Sequence, residues 1–308
     1  MKKNNLKSSQ QTSNYVDYST HKNKGYSGYG WMFEEDLCRD FSIVLAKWGK
    51  DREFYRVDAE TLKLKKLLEY DDYGFLEYKL DDLLSQNMND LIYYGKAYVE
   101  VIRWYDEEDN LVRISFQPFH YKKQIAIGKN IYYQLRRQNG EKIRGKIRRK
   151  DTIAFSLKDL GYSVGSIKKV VKKLDKMEMA DYTLALDKDS GFDANVFQQK
   201  CEYKLLKITR KFYWPGRDTS SKSMSEPYML YRHMKFLLVQ KRFLDYLMQG
   251  YNKALENLGK EYGFEGRISY QSKTEGYEEV IENLRNGEMN CEQVGKVVFE
   301  MIAKGQMN

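Results

Sequence analysis

Proline is nearly absent, with three residues in 308, so helices and strands can run long without interruption. Cysteine is as scarce. Cys38, Cys201 and Cys291 are far apart, odd in number and form no CxxC pair, which argues against a disulfide framework and against a cysteine-built zinc site. A reducing compartment suits such a chain. The three histidines, His21, His120 and His233, are scattered, and there is no HExxH, GxSxG or GxxxxGK[ST] motif to carry metal, acyl-transfer or nucleotide chemistry. No apolar run is long enough to span a bilayer. Residues 1–30 lack the apolar core of a signal peptide, so export is not expected.

What is present is a mixed, foldable composition with 42% hydrophobic and 31% charged residues. The 26 tyrosines supply apolar area with a polar tip, which suits half-buried surfaces and interfaces. The net charge of +9 favours polyanions, either nucleic acid or an anionic membrane, although AT-rich coding, which produces many lysines, gives the same balance.

Residues 1–30 are rich in Lys, Asn, Ser, Gln, Tyr and Gly without periodicity and read as a flexible arm. Gly25, Gly28 and Gly30 follow no strand, so they are not a dinucleotide fingerprint. Phe33, Leu37, Phe41, Val44, Leu45 and Trp48 keep helical spacing and predict a helix from Met32 to Gly49. A second is expected from Asp81 to Tyr94, stopped by Gly95. Val-, Ile- and aromatic-rich strands are expected over 97–104, 111–117, 124–127, 131–136, 142–148 and 152–156, forming an antiparallel meander. Ser166 can cap a helix from Ile167 to about Leu186, and another is expected over 194–211. The loop 214–223 leads to the longest helix, from Glu226, which Gly250 could bend. Two short helices close the chain near 277–285 and 291–303, the second capped by Asn290 with Gln293. The class is α+β.

Chemistry is sparse. His120 reads as a structural or exposed histidine. Asp81 and Asp82 sit at an expected helix start, where carboxylates suit the dipole. Asp106 to Asp109 lacks the glycine and terminal glutamate of a calcium loop and reads as a solvated turn. The basic features say more. Lys168, Lys169, Lys172, Lys173 and Lys176 band one helix, as a solvated face or a phosphate-facing one. Arg217 and Lys222 lie in the Gly/Ser-rich loop, suited to sequence-blind backbone contact. Arg144 to Lys150 holds five basic residues on what could be an outer strand face.

The stretch Tyr93-Tyr94-Gly95-Lys96-Ala97-Tyr98-Val99-Glu100-Val101-Ile102-Arg103 resembles the helix-to-strand junction of portal proteins of long-tailed bacteriophages, whose "YGNAY" leads to a strand, an acidic turn and a second strand. Lys96 stands where Asn is usual. Asp151 to Ser156 is similar to the family's "DDIIHI" strand, and Gly161, Gly165 and Ser166 to its "DGxxGxSP" junction, with Ile167 in place of Pro. The resemblance implies a portal-like α+β fold: an arm at 1–31, a wing at 32–165 with antiparallel strands, stem helices at 166–212 with a minimal clip near 187–194, a tunnel-type loop at 213–225, a long wing helix at 226–262 and a small helical crown at 263–308. It further implies a non-enzymatic ring subunit, a dodecamer at one capsid vertex of the virion, assembled in the host cytoplasm. Through it double-stranded DNA is packaged and ejected. The implied partners are further copies of the chain, DNA, terminase, major capsid protein and head-tail adaptor, with no membrane and no cofactor. Arg217, Lys222, Lys168, Lys169, Lys172 and Lys176 are the expected DNA-channel residues. The rivals are a sequence-nonspecific nucleic-acid-binding protein that forms no ring, and a DNA-processing enzyme.

Overall fold

The computed structural model describes residues 6–11, 28–38, 41, 44–46, 54–59, 62–68, 76–119, 123–136, 141–184, 194–217, 225–297 and 300. The chain opens with β1 (Lys7–Ser8), α1 (Tyr29–Cys38), β2 (Leu45–Ala46), β3 (Tyr55–Asp58), α2 (Leu62–Leu68) and α3 (Leu76–Tyr94). Six strands follow: β4 (Lys96–Tyr105), β5 (Leu111–Pro118), β6 (Lys123–Ile127), β7 (Asn130–Arg136), β8 (Lys142–Arg148) and β9 (Thr152–Ser156). Then come α4 (Ser166–Leu184), α5 (Ala194–Ile208), α6 (Glu226–Tyr262), β10 (Arg267–Ser272) and α7 (Tyr277–Asn286), and residues 291–297 are again helical. The class is α+β with antiparallel sheets.

The elements fall into two compact units. One holds Met1–Lys24, Tyr55–Val164 and Tyr246–Ser269; the other holds Gly25–Phe54, Gly165–Asp245 and Tyr270–Asn308.

In the first unit β4 is the central strand. Its Val, Ile, Tyr and Trp residues suit a pleated surface, and Ala97 to Arg103 are buried without alternation, as in a strand covered on both faces. β5 pairs along one edge of β4, while β9 and then β1 share the other. The expected single meander is therefore corrected: β6, β7 and β8 form a separate sheet, and β9 returns to β4. Leu84, Met88, Leu91 and Ile92 of α3 are fully buried, each stabilising by roughly 1.5–3 kcal/mol. The helix begins at Leu76 rather than Asp81. Asp81 instead accepts a hydrogen bond from the Tyr55 hydroxyl at 3.0 Å, and Asp82 one from Gln86 at 2.6 Å, so neither is the expected capping residue.

Gly95 ends α3 at φ 72°, where a side chain would be strained, and its hydrogen faces Val164: a Cβ there would lie 2.8 Å from Val164 Cγ1. Gly250 has a packing role. It lets α6 touch β9, since a Cβ would fall 2.3 Å from the Phe155 ring. Phe155 also meets Tyr246 and Tyr251 at ring-centroid distances of 5.5 and 5.9 Å.

Residues 6–11, expected to be part of a flexible arm, lie along β4 instead. Ser9 and Arg103 exchange hydrogen bonds at 2.9 and 2.8 Å, and Gln11 reaches across to the small sheet. The Gln11 amide donates to Asp151 Oδ2 at 2.8 Å, its side-chain oxygen accepts from the Arg148 N–H at 3.2 Å, and its carbonyl accepts from Tyr133 at 3.3 Å. Asp151, 1% exposed, also receives Arg103 Nη2 at 2.5 Å and Arg148 Nε at 2.6 Å. Burial pushes its carboxyl upward, but Gln11, Arg103 and Arg148 outweigh that and hold it below the usual carboxylate range.

In the second unit the expected helix 32–49 stops at Cys38. Val44 enters a core with Met234, Leu237, Tyr277, Val280, Ile281 and Val294, and Leu45 and Ala46 pair with Ser272 and Gln271 of β10. β10 starts in the first unit, where it lies beside β3. Ser166 starts α4 without the expected side-chain cap, its buried hydroxyl having no hydrogen-bond partner among the described residues. The expected closing cap does form: Asn290 and Gln293 bond reciprocally at 2.8 and 3.0 Å. The break at 189–191 lies outside the described residues.

Asp151→Ala strands Arg103 inside the fold and should lower unfolding free energy by about 3–5 kcal/mol, read by urea denaturation. Because the folded Asp151 value lies below the unfolded one, its contribution is complete above about pH 4 and is lost as pH falls toward the folded value. Gly250→Ala should destabilise by about 1–3 kcal/mol, although alanine is the better helix former, because the Phe155 ring must move.

Candidate nucleic-acid interface

α4 divides cleanly into two faces. Ile167, Val171, Leu174 and Met177 recur at helical spacing and are buried. Opposite them Lys169, Lys172, Lys173 and Lys176 are exposed, and Lys168 is half-buried at the flank. The spacing places the four exposed ammonium groups along about 10 Å of helix. Lys169 with Lys173, and Lys172 with Lys176, are like-charged pairs at i,i+4, each unfavourable by a few tenths of a kcal/mol in an isolated helix. A polyanion on this face would relieve that repulsion. The buried face is set by α1, which approaches so closely that a Cβ on Gly30 would stand 3.0 Å from the Val171 carbonyl and overlap the Asp175 carboxylate. That close approach is what Gly30 is needed for.

Arg217 is placed differently. Its Nε and Nη2 donate to Asp36 Oδ1 at 2.9 and 2.7 Å, and Nη2 also reaches Glu35 Oε2 at 2.7 Å. Its guanidinium lies 5.3 Å over the Trp31 ring. The hydrogen bonds to Asp36 and Glu35 hold its pKa above the ordinary arginine value. Two carboxylates thus answer one cation, and Arg217 fastens the segment after α5 to α1. Trp214 works beside it, donating to Asp36 Oδ2 at 2.8 Å and packing edge-on against Phe33 at 5.5 Å. Gln240 of α6 donates to the Asp36 carbonyl. The other loop candidate, Lys222, lies outside the described residues. Arg217 and the α4 lysines therefore do not form one cluster: one is closed on α1 and the others are open.

Arg232 was not singled out from the sequence. It is 1% exposed on α6, with Nη2 donating to Thr209 Oγ1 at 2.9 Å and to the Trp214 carbonyl at 3.0 Å, between the rings of Tyr213 and Tyr228. The signal was spacing: Arg232 and Gln240 share a helical stripe with Phe236 and Phe243, where apolar residues belong.

In the first unit Arg144, Lys146 and Arg148 of β8 are exposed, as the outer-face reading expects, and Arg148 is tied to Asp151. An open groove there is lined by Arg56, Lys253 and Arg267 with Asp58, Glu256 and Glu265. Arg56 and Arg267 approach Asp58 at 3.4 and 3.9 Å, so its charges largely answer each other. His233 is exposed, and His120 lies outside the described residues. Among the described residues no three His, Cys, Asp or Glu side chains gather closely enough to hold a metal ion, and no helix is long and apolar enough to cross a membrane.

Arg217→Ala should quicken backbone amide exchange over 212–217 by roughly tenfold, the equivalent of one charge-assisted hydrogen bond, and redden Trp214 emission. No protein-family model matches this chain, and no curated protein matches it.

Proposed function

We propose that this chain is a ring-forming portal subunit of a tailed bacteriophage, a non-enzymatic channel at one capsid vertex through which double-stranded DNA passes. The observation that carries the reading is the junction at Gly95. Two of the three stretches that resemble portal proteins, 93–103 and 161–166, are distant in sequence, yet Gly95 sits directly against Val164, with no room for a side chain between them. From that point α3 turns into β4, and α4 leaves for the second unit. The acidic turn between β4 and β5 and the 37-residue α6 follow in the order the resemblance expects.

A portal encloses DNA without reading it, which asks for distributed positive charge rather than base-reading groups. The open lysine face of α4 supplies such charge. In this reading Lys169, Lys172 and Lys176, flanked by Lys168, meet phosphates, and Lys222 is a further channel contact. Arg217 fastens to α1 the segment that leads on to Lys222. Further copies in a dodecamer, terminase, major capsid protein and head-tail adaptor are its partners, and the virion its place after assembly in the host cytoplasm.

The same lysine face also favours a second reading, a nucleic-acid-binding protein that forms no ring. Electron microscopy of the purified chain separates the two. Hollow rings with a central pore are expected, and a compact monomer removes the portal. Replacing Lys169, Lys172, Lys173 and Lys176 with Gln should flatten the dependence of log affinity on log salt by about 0.9 for each lost phosphate contact, with rings intact. An unchanged slope would falsify the assignment of this face.

A further inference from the structure

The sheet β6–β7–β8 has an outer face that nothing above employs. Its register sets Ile125 beside Tyr132 and Lys146 in one row, Ile127 beside Asn130 and Arg148 in the next, and Arg144 opposite Gln134. The alternate positions Ile131, Tyr133 and Ile147 point inward against Tyr98 and Phe119. Gly145 makes room for the Tyr133 ring, which would stand 2.5 Å from a Cβ there. On the outer face Ile125 is 63% exposed, Ile127 61% and Tyr132 44%, beside the exposed cations Arg144, Lys146 and Arg148. Two adjacent isoleucines this open on a strand with one hydrogen-bonded neighbour among the described residues ask for an apolar cover. The cations ask that the cover be acidic. Phosphates would satisfy the cations but not the isoleucines, so the pattern favours protein over nucleic acid.

The chain itself offers the acidic part of such a cover, with the half-buried Leu111 beside it to meet the isoleucines. The longest run of consecutive exposed acids among the described residues is Glu107–Glu108–Asp109, in the turn between β4 and β5. That tip is stiffened from within. Asp106 Oδ1 accepts the N–H groups of Glu108 and Asn110 at 3.0 and 2.8 Å, and Asp109 takes φ 62°. Asp109 is answered by Lys7 at 3.0 Å, while Glu107 and Glu108 have no ion pair among the described residues, Glu108 accepting only from the Asn110 amide at 3.3 Å. On the sheet, Arg148 is answered by Asp151 at 2.6 Å, while Arg144 and Lys146 have no ion pair among the described residues. Two open acids therefore match two open bases.

They do not meet within one copy. The basic sheet packs on Tyr98, near the start of β4, and the acidic turn follows Tyr105 at its end, about 23 Å further along the strand. We infer that the outer face of β6–β7–β8 receives the Glu107–Glu108 turn of a second copy of this chain, with Ile125, Ile127 and Tyr132 buried beneath it. The contact joins unlike surfaces, so it is head-to-tail and closes into a ring when the rotation between copies allows. It rests on the ring assembly proposed above and names the surfaces that build it.

Charge reversal tests it. Sedimentation velocity is run on the full chain, on Glu107→Lys/Glu108→Lys, on Arg144→Glu/Lys146→Glu and on an equal mixture of the two variants, with circular dichroism confirming that each is folded. Each variant alone should associate roughly 10- to 100-fold more weakly than the unaltered chain, since like charges then face each other. The mixture should reassemble, because each variant's tip now matches the other's sheet. Should reversal unfold either variant, Glu107→Gln/Glu108→Gln and Arg144→Gln/Lys146→Gln replace the pair, and each should weaken association and flatten its salt dependence.

Rings formed unchanged by either folded variant, or a mixture that stays apart, overturn the contact while leaving the portal reading intact. Arg144→Glu/Lys146→Glu that assembles normally but loses affinity for a single-stranded oligonucleotide also overturns it, and gives the face to nucleic acid. An unaltered chain that remains monomeric at every concentration removes the portal reading and this contact with it.

Discussion

A carboxylate withdrawn from water has to be answered by its surroundings, and three separate parts of the chain converge on Asp151 to do so. The Gln11 amide comes from the N-terminal segment, Arg103 from β4 and Arg148 from the end of β8. Asp151 itself closes the 3-10 turn Arg149–Asp151, where the chain leaves the small sheet for β9 and the large one. Desolvation of such a group is costly enough that its partners cannot be exchanged freely. The position of the first strand, the return of β9 to β4 and the seating of the small sheet are thus fixed by one charge. Gln11 serves both sheets, through the Tyr133 hydroxyl on one side and the Glu100 carboxylate at 2.5 Å on the other.

The second unit has its own hub, and it works by the same rule at lower burial. Asp36 receives Trp214 and Arg217 through its side chain and Gln240 through its carbonyl. One turn of α1 therefore holds both the segment after α5 and the middle of α6. Arg232 secures the same segment from inside, bonding the Trp214 carbonyl that Thr209 also approaches. Its charge is met by carbonyl, hydroxyl and ring faces, an arrangement that guanidinium tolerates better than ammonium because it is planar and weakly hydrated.

Local pattern was legible in the sequence, and long-range pairing was not. The strands from β4 to β9 could be placed because β-branched and aromatic runs are cut by turn residues, and α4's lysine stripe because helical spacing sorts residues onto faces. The pairing of β9 with β4 rather than β8 left no local trace. β1 could not be seen, since two residues carry no period and their strand exists only because β4 offers an edge. The helix expected through 32–49 was misread for the opposite reason. Phe41, Val44 and Leu45 keep a helical spacing by coincidence, and in the fold Val44 joins a helical core while Leu45 pairs in a sheet. The pairing of Arg217 with α1 could not be seen because its partners, Glu35 and Asp36, lie 182 and 181 residues away along the chain.

The two units are threaded through one another in sequence: the chain passes between them after residues 24, 54, 164, 245 and 269. The final pass splits β10, and the one before it splits α6. Neither unit can then be excised as one contiguous fragment, and a nascent chain cannot complete the first before the last strand has been synthesised. Folding of each must wait for contacts of high sequence separation, which slows the search and ties the fate of one unit to the other. For a chain proposed to assemble with its own copies, that topology delays the display of finished surfaces until the segment after residue 269 has been made.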